Sequence, residues 1–347
     1  METFSLIDKL RENHILSREE YLSLITCDDP DAIEYLRQSA DEVRKSVYGN
    51  AVYIRGLVEF TNYCKNDCLY CGIRRSNTSA ERFRLTKDQI LDCAEAGYAL
   101  GFRTIVLQGG EDPWFTDERL TDIVKELRQS YPDCAITLSV GERPRKSYEK
   151  LFEAGANRFL LRHETANACH YAKLHPENLT LENRMQCLRD LREIGYQVGC
   201  GFMVGSPYQT AEHIAEDLRF LAEFQPHMVG IGPFIPHRDT PFRDKTAGSA
   251  AETVKLLSII RLILPNVLLP ATTALGTILA DGRERGIRAG ANVIMPNLSP
   301  SDARKKYMLY NDKLSSGDEA AENLASLKGS MAAIGYEIVT DRGDYKK

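Results

Sequence analysis

The sequence predicts an α/β protein built as a complete (β/α)8 TIM-type barrel with an N-terminal helical cap. From about residue 50 onward, eight short runs rich in β-branched and apolar residues alternate with helical patterns. Eight such units over ~250 residues is the size of one whole barrel. No Pro-, Gly- or Ser-rich linker interrupts the series, so a two-domain doubly wound arrangement has no boundary to offer. The expected division is a helical cap over residues 1–49 and a barrel with a C-terminal helical segment over 50–347.

The first fifty residues read as helices. Leu6, Ile7 and Leu10 recur at helical spacing, and Ile33, Leu36, Ala40 and Val43 form one stripe. They are expected to pack as a cap on the barrel bottom. Strands are expected at 51–60, 104–108, 135–140, 158–164, 197–204, 228–235, 268–273 and 292–295. Pro270 inside the seventh run weakens its boundary, because proline cannot donate to a ladder. Helices are expected at 86–100, 116–130, 147–155, 180–195, 210–223, 249–263, 282–289 and 319–334.

In such a barrel, side chains along each strand alternate inward and outward, and reactive groups gather at the strands' C-terminal ends. Arg55 shares a face with Leu57 and Glu59 on the first strand, and Thr137 shares one with Ser139 on the third. On the fourth, Phe159, Leu161 and His163 alternate with Leu160, Arg162 and Glu164. The apolar set should meet the helices, so Arg162 and Glu164 should point inward and need partners or ligands. They would either pair with one another or grip a ligand, and His163 reads as a packed or surface imidazole. The seventh run ends in Thr272-Thr273. Two arginines and several hydroxyls facing one lumen suit an anionic ligand or a polar metal complex.

The most informative segment follows the first strand. Cys64, Cys68 and Cys71 stand in Cys-x3-Cys-x2-Cys spacing, with Tyr70 before the last cysteine. Three thiolates hold three irons of a cubane and leave the fourth open, whereas a closed electron-transfer cluster takes four cysteines. Structural zinc also takes four ligands, and no fourth Cys or His stands at a matching short spacing. The second strand runs into Gln108-Gly-Gly-Glu-Asp-Pro113, where Gly109 and Gly110 would admit close backbone approach of a ligand. On the fifth, Gly199-x-Gly201 lacks the third glycine of a dinucleotide fingerprint, the next falling one residue late, which excludes an NAD site.

Composition narrows the rest. The 347 residues carry a net charge of −5 with no run of like charges, against a nucleic-acid partner. No stretch approaches the ~18 apolar residues of a membrane span. The segment from Met1 to Lys9 has no signal-peptide pattern. Cys27, Cys93, Cys134, Cys169, Cys187 and Cys200 have no framework spacing and read as buried, reduced thiols of a cytoplasmic protein in an anaerobic or well-reduced setting.

The three-cysteine spacing with its aromatic residue resembles the signature of the radical S-adenosylmethionine (SAM) enzymes. Within that family the chain is most similar to the FeFe-hydrogenase maturases, ahead of biotin synthase and methylornithine synthase. The likeness runs through Cys68-Leu-Tyr-Cys-Gly72, Gly110-Glu-Asp-Pro113, Leu161-Arg-His-Glu-Thr-Ala-Asn167, Glu182-Asn-Arg184, Met203-Val-Gly205, Gly230-Ile-Gly-Pro-Phe-Ile-Pro-His237, Pro270-Ala-Thr-Thr-Ala274 and Gly290-Ala-Asn-Val-Ile-Met-Pro296.

The resemblance implies one 4Fe-4S cluster on Cys64, Cys68 and Cys71. It implies SAM on the open iron, near Tyr70, Gln108, Gly109, Gly110, Glu111, Ser139, Glu164, Arg184 and Met203. It implies a closed inner cavity lined by Arg55, Thr137, Arg162, Thr272, Thr273, Tyr307 and Tyr310, the two tyrosines standing three apart on one helical face. The implied substrate is an iron complex carrying carbon monoxide, cyanide and cysteine, delivered by a sister radical SAM maturase and attacked by the 5′-deoxyadenosyl radical. A ferredoxin or flavodoxin would supply electrons, and a scaffold GTPase is a further implied partner. Members with a second cluster carry extra C-terminal cysteines; this chain has none after Cys200, so no second cluster is expected. The alternatives are a methylornithine-synthase-like mutase acting on lysine and, in a different class, a non-catalytic iron–sulfur carrier or scaffold.

Overall fold

A computed structural model describes residues 2–315 and 321–346. Three helices come first: α1 (Glu2–Asn13), α2 (Arg18–Thr26) and α3 (Pro30–Tyr48). Ser17 and Glu20 close a capping box at the start of α2, and Asp29 followed by Pro30 opens α3. The apolar stripe of α3 buries Leu36 and Ala40.

The first strand run is split at Arg55 into β1 (Ala51–Ile54) and β2 (Gly56–Thr61). Then come α4 (Lys87–Ala99), β3 (Thr104–Gly109), α5 (Asp117–Ser130), β4 (Ala135–Ser139), α6 (Arg145–Glu153) and β5 (Arg158–Leu160). A helix that the periodicity did not reveal, α7 (Ala168–Leu174), precedes α8 (Leu181–Ile194). The fifth and sixth runs are likewise split, into β6 (Gln197–Cys200) and β7 (Met203–Val204), and, after α9 (Ala211–Phe224), into β8 (Met228–Val229) and β9 (Gly232–Pro233).

After α10 (Ala250–Ile263) the expected strand at 268–273 does not form. Leu268 and Pro270 make only isolated parallel bridges, to Met228 and Val293. Proline breaks the ladder there, and Thr272 and Thr273 instead open a short helix, α11 (Thr273–Ile278). The chain continues through α12 (Gly282–Arg288), β10 (Val293–Ile294), α13 (Ser301–Lys306), a 3-10 turn at Ala321–Asn323, α14 (Leu324–Ala333) and β11 (Glu337–Val339). Positions 319–320 of the expected last helix lie outside the described residues.

Among the described residues the named strands pair in parallel, and one isolated antiparallel bridge joins Thr61 to Arg84. β2, β3, β4, β5, β6 and β8 are successive neighbours in one sheet, β1 lies between β10 and β11, and β7 pairs with β9. A bridge from Leu57 to Asn297 links the end of the β10 segment to β2.

Why α3 exists is legible in α10. Residues Leu256 to Ile263 are buried all round, which a helix with one solvent face does not show. One side meets the sheet and the other is covered by α3. Arg261 survives inside because the chain supplies its acceptors, the carbonyls of Gly290, Pro265 and Val267 at 2.9, 2.7 and 2.7 Å.

Candidate active site

The cysteine loop leaves the C-terminal end of β2 and is fixed by its own polar residues. Arg82 donates to the carbonyls of Asn62, Ile73, Arg74 and Asn77. Asp67 accepts from Arg74 Nε and Ser76 N, both at 2.9 Å. Gly72 N donates to Leu309 O at 2.8 Å, which ties the loop to the segment after α13. A side chain at Gly72 would meet Met308 O at 2.1 Å and the His237 ring at 2.5 Å, so only glycine allows this approach. The same holds at Gly110, where a Cβ would lie 2.2 Å from Tyr63 O and 2.8 Å from Cys64 Cβ. Asp112 of that glycine motif turns away from the site, holding Thr61 Oγ1 at 2.7 Å and the Arg84 guanidinium.

Beside this loop lies a cavity of about 310 Å3. Its wall includes Cys64, Cys68 and Cys71, with Tyr70, Gln108, Gly109, Gly110, Glu111, Ser139, Glu164, Arg184 and Met203. Arg162, Thr272, Tyr307 and Tyr310 line it as well. Arg55 and Thr137 border a separate, smaller void of about 10 Å3 nearer the strands' N-terminal ends. Thr273 borders neither; it sits in the first turn of α11.

Tyr307 and Tyr310 do not share a helical face. α13 ends at Lys306, and both rings reach the cavity from an irregular segment. That segment is anchored by Lys313, whose Nζ pairs with the fully buried Glu59 at 2.6 Å; Asn297 Nδ2 donates to the other Glu59 oxygen at 2.8 Å. The seven-residue expectation for the fourth strand is also shortened, since β5 ends at Leu160. The alternation nevertheless persists: Arg162 and Glu164 line the cavity, while Phe159 and His163 pack outward against aromatic rings. His163 is fully buried.

Burial dominates the electrostatics. It pushes the Cys71 thiol up to about 12, with the neighbouring Cys64 adding to the effect, and raises Cys64 and Cys68 as well. As free thiols these groups keep their protons at neutral pH, and ligation to iron is what would displace them. Among the described residues no three His, Cys, Asp or Glu side chains converge on a point fit for a single metal ion. The cysteine set instead suits a cluster, which offers each thiolate its own iron. Tyr70, between two of the cysteines, is held by its hydroxyl at 3.2 Å from His175 Nε2; His175 Nδ1 lies 3.0 Å from Tyr171 O and donates to it. Burial also drives the Tyr70 phenol up.

The wall has two kinds of polar group. Some are already engaged: Arg184 donates to Glu142 through Nε and to Arg162 O at 2.6 Å, and Glu111 Oε1 accepts from Glu142 N at 3.0 Å, while Glu111 Oε2 faces Lys65 Nζ at 3.2 Å without hydrogen-bond geometry. Others on the wall are buried with no hydrogen-bond partner, namely Arg162 Nε and Nη2, Glu164 Oε2 and Thr272 Oγ1, and around the smaller void so are Arg55 Nε and Nη2 and Thr137 Oγ1. Arg162 Nη2 and Glu164 Oε2 face each other at 3.2 Å but without hydrogen-bond geometry, so the pair does not satisfy itself. Arg55 reaches only Met228 Sδ, a weak acceptor, at 2.7 Å.

Sequence reasoning missed Glu142, Arg82, Asp67, His175 and Lys313. Glu142, His175 and Lys313 act through partners far off in sequence, whereas Asp67 and Arg82 bond within the cysteine loop itself, at separations that match no regular period. It also took all six remaining cysteines as buried, whereas Cys169 is exposed and Cys27 partly so; all nine are unbridged.

Comparisons with known proteins agree with this geometry. Residues 58–221 match the family model of the radical SAM superfamily. The chain is 46% identical over 342 residues to the [FeFe] hydrogenase maturase subunit HydE of Thermotoga maritima, covering 99% of this chain and 97% of that protein. It is 30% identical over 332 residues to the 3-methylornithine synthase of Methanosarcina acetivorans, covering 95% and 92%. The crystal structure of methylornithine synthase (PylB) superposes with a TM-score of 0.81 at 26% identity, over 96% of this chain and 97% of that one. The chain therefore belongs to the radical SAM superfamily, in the family of the [FeFe] hydrogenase maturase HydE, and is an enzyme whose cofactors are a 4Fe-4S cluster and SAM.

Proposed function

We propose that this enzyme cleaves SAM reductively and acts on an iron complex bearing carbon monoxide, cyanide and cysteine during assembly of the FeFe-hydrogenase active site. The carrying observation is the set of unpartnered buried donors on Arg55, Arg162, Thr137 and Thr272. A buried donor without an acceptor costs roughly 1–3 kcal/mol, more when charged. A chain that leaves several of them around this cavity and the small void behind Leu160 has a use for them, and an anionic metal complex seated in the cavity, with cyanide and carboxylate acceptors turned toward them, would satisfy them.

Cys64, Cys68 and Cys71 would hold the cluster, with Tyr70, Gln108, Gly109, Gly110, Glu111, Ser139, Glu164, Arg184 and Met203 around SAM. When bound, the cluster supplies the electron that splits SAM to methionine and the 5′-deoxyadenosyl radical. The residues do the rest. Glu164 accepts from the SAM amino group. Arg184, pre-oriented by Glu142, offers its fork to the SAM carboxylate. Arg162 and Thr272 orient the substrate from the cavity wall and Arg55 and Thr137 from the small void behind Leu160, Tyr307 and Tyr310 screen it from water, and Thr273, which borders neither void, would act only by holding the first turn of α11. The strand bridges through Leu268, Pro270 and Asn297 support a fully closed barrel, with residues 1–49 as a helical layer covering it. The partners in this reading are the sister maturase that supplies the substrate, a ferredoxin- or flavodoxin-type donor and a scaffold GTPase, all in the cytoplasm. Among the described residues no helix is long and apolar enough to cross a membrane.

The test is an anaerobic maturation assay. Reconstituted protein, given reductant, SAM and the sister maturase's product, should form 5′-deoxyadenosine and activate apo-hydrogenase. Conversion of lysine to methylornithine without activation would establish the mutase. Absence of SAM cleavage would leave the carrier.

A further inference from the structure

Glu164 stands in a backbone conformation that a non-glycine residue rarely adopts, with φ at +66°. Something must hold it there, and the holding groups are on the far side of the strand from the cavity. Glu164 N donates to Gly201 O at 3.0 Å, and Met203 N approaches Glu164 O at 3.4 Å. Gly201 N in turn donates to His163 Nδ1 at 3.2 Å. That bond assigns the imidazole proton to Nε2, which lies 3.2 Å from Asp217 Oδ1 and donates to it. The same Asp217 oxygen accepts from Ala166 N at 2.6 Å.

One carboxyl group on α9 thus grips the chain on both sides of Glu164, at residue 163 and at residue 166. Both members of the pair are fully buried. The His163 ring is also wedged between Phe202 and Phe220, at centroid distances of 6.0 and 4.7 Å. Neither His163 nor Asp217 lines the cavity. Burying an acid and an imidazole on the outer face of a strand is an expensive way to fill space that leucine and phenylalanine fill elsewhere. The expense has a purpose if the bonds fix a neighbour's direction.

We infer that His163 and Asp217 are positioning residues that clamp Glu164 in its left-handed conformation and so aim its carboxylate at SAM. The inference rests on the reading of Glu164 as a SAM-contacting residue.

The test is SAM affinity, measured by equilibrium binding to reconstituted protein whose iron content is checked. Asp217→Ala should weaken binding by about 10-fold, the scale of one charge-assisted hydrogen bond misdirected. Asp217→Asn keeps an acceptor oxygen for both N–H groups and should restore affinity to near wild type. Glu164→Gln should itself weaken binding by about 10-fold, and adding Asp217→Ala to it should cost nothing more, since the clamp acts only through that carboxylate. Should Asp217→Ala prove too unstable to load a cluster, His163→Leu removes two of the three bonds at similar volume and should weaken binding in the same direction. Wild-type affinity in Asp217→Ala or His163→Leu, with Glu164→Gln impaired, would overturn the clamp. An equal loss from Asp217→Ala in both backgrounds would show a merely structural role and overturn it too. Wild-type affinity in Glu164→Gln would remove the carboxylate from the SAM site and the clamp with it.

Discussion

Two buried arginines that border the same small void, Arg55 and Arg158, have opposite fates. Arg158, at the start of β5, is supplied with acceptors from five residues: Gln197 Oε1 at 3.1 Å, Thr104 Oγ1 at 3.0 Å, the carbonyls of Arg342 and Gly343 at 3.0 and 3.2 Å, and Asp344 Oδ1 at 2.7 Å. Three of those acceptors come from the segment after β11, which crosses the N-terminal ends of the strands. Arg55, between β1 and β2, has a thioether and two unpartnered nitrogens. Burial lowers its hold on the proton, and the nearby Arg158 charge adds to that. The contrast separates structure from function around one small void. Where the chain wants a buried cation for the fold, it brings its own acceptors; where it does not, the acceptors must come with a ligand.

The largest effect belongs to the cluster. Cys68→Ser should abolish iron loading, read as the loss of about four irons per chain in anaerobically reconstituted protein. Iron retained at wild-type level would remove the upper end of the lumen from the comparison.

The comparison itself breaks or holds on two isosteric changes. Arg158→Met should destabilise by about 3 kcal/mol in denaturant unfolding, because it strands the acceptors that were built around a charge. Arg55→Met should be neutral or stabilising, since it replaces an unsatisfied buried cation with an apolar side chain. An equal cost at both positions would mean that Arg55 is as structural as Arg158.

A smaller effect is expected at Arg184. Its alanine variant should bind SAM about 10-fold more weakly with iron content unchanged, the loss of one bidentate pair. Unchanged affinity would assign Arg184 to the Glu142 contact alone.

The smallest effect is at the floor. Burial raises the Asp344 carboxyl, but the bond and charge of Arg158 outweigh this and hold it below the ordinary carboxylate range. A depressed folded-state value means that its stabilisation is full above the unfolded value and fades as pH falls through the folded one. Wild-type stability should therefore decline across that acid window more than Asp344→Asn does, in paired unfolding titrations. Parallel profiles would contradict the pairing.

The sequence was most readable where a requirement is local. The cysteine spacing needs only eight residues, and the alternation of Leu160, Arg162 and Glu164 around Phe159 and His163 placed two charges inward even though the strand itself stops early. The helices from α4 to α6 and from α8 to α10 stand where the helical patterns were expected. What failed was non-local. Pro270 turned an apparent strand into isolated bridges. α7 and α11, at seven and six residues, follow directly on runs read as strands, and so short a helix carries little period of its own. β11 pairs with β1 across almost the whole chain, and nothing in Glu337–Val339 points to residue 51. Lys313, which nothing local singles out, is the partner of Glu59, 254 positions away.

The central claim is that the lumen's unsatisfied donors exist for an anionic metal complex. Arg55→Met tests it most directly in the anaerobic maturation assay, with cluster content and SAM cleavage measured on the same sample. The account predicts four irons per chain, undiminished 5′-deoxyadenosine formation in the absence of substrate, and hydrogenase activation reduced at least about 100-fold, the scale of a charged hydrogen-bond partner lost in a buried site. Wild-type activation by Arg55→Met would contradict it.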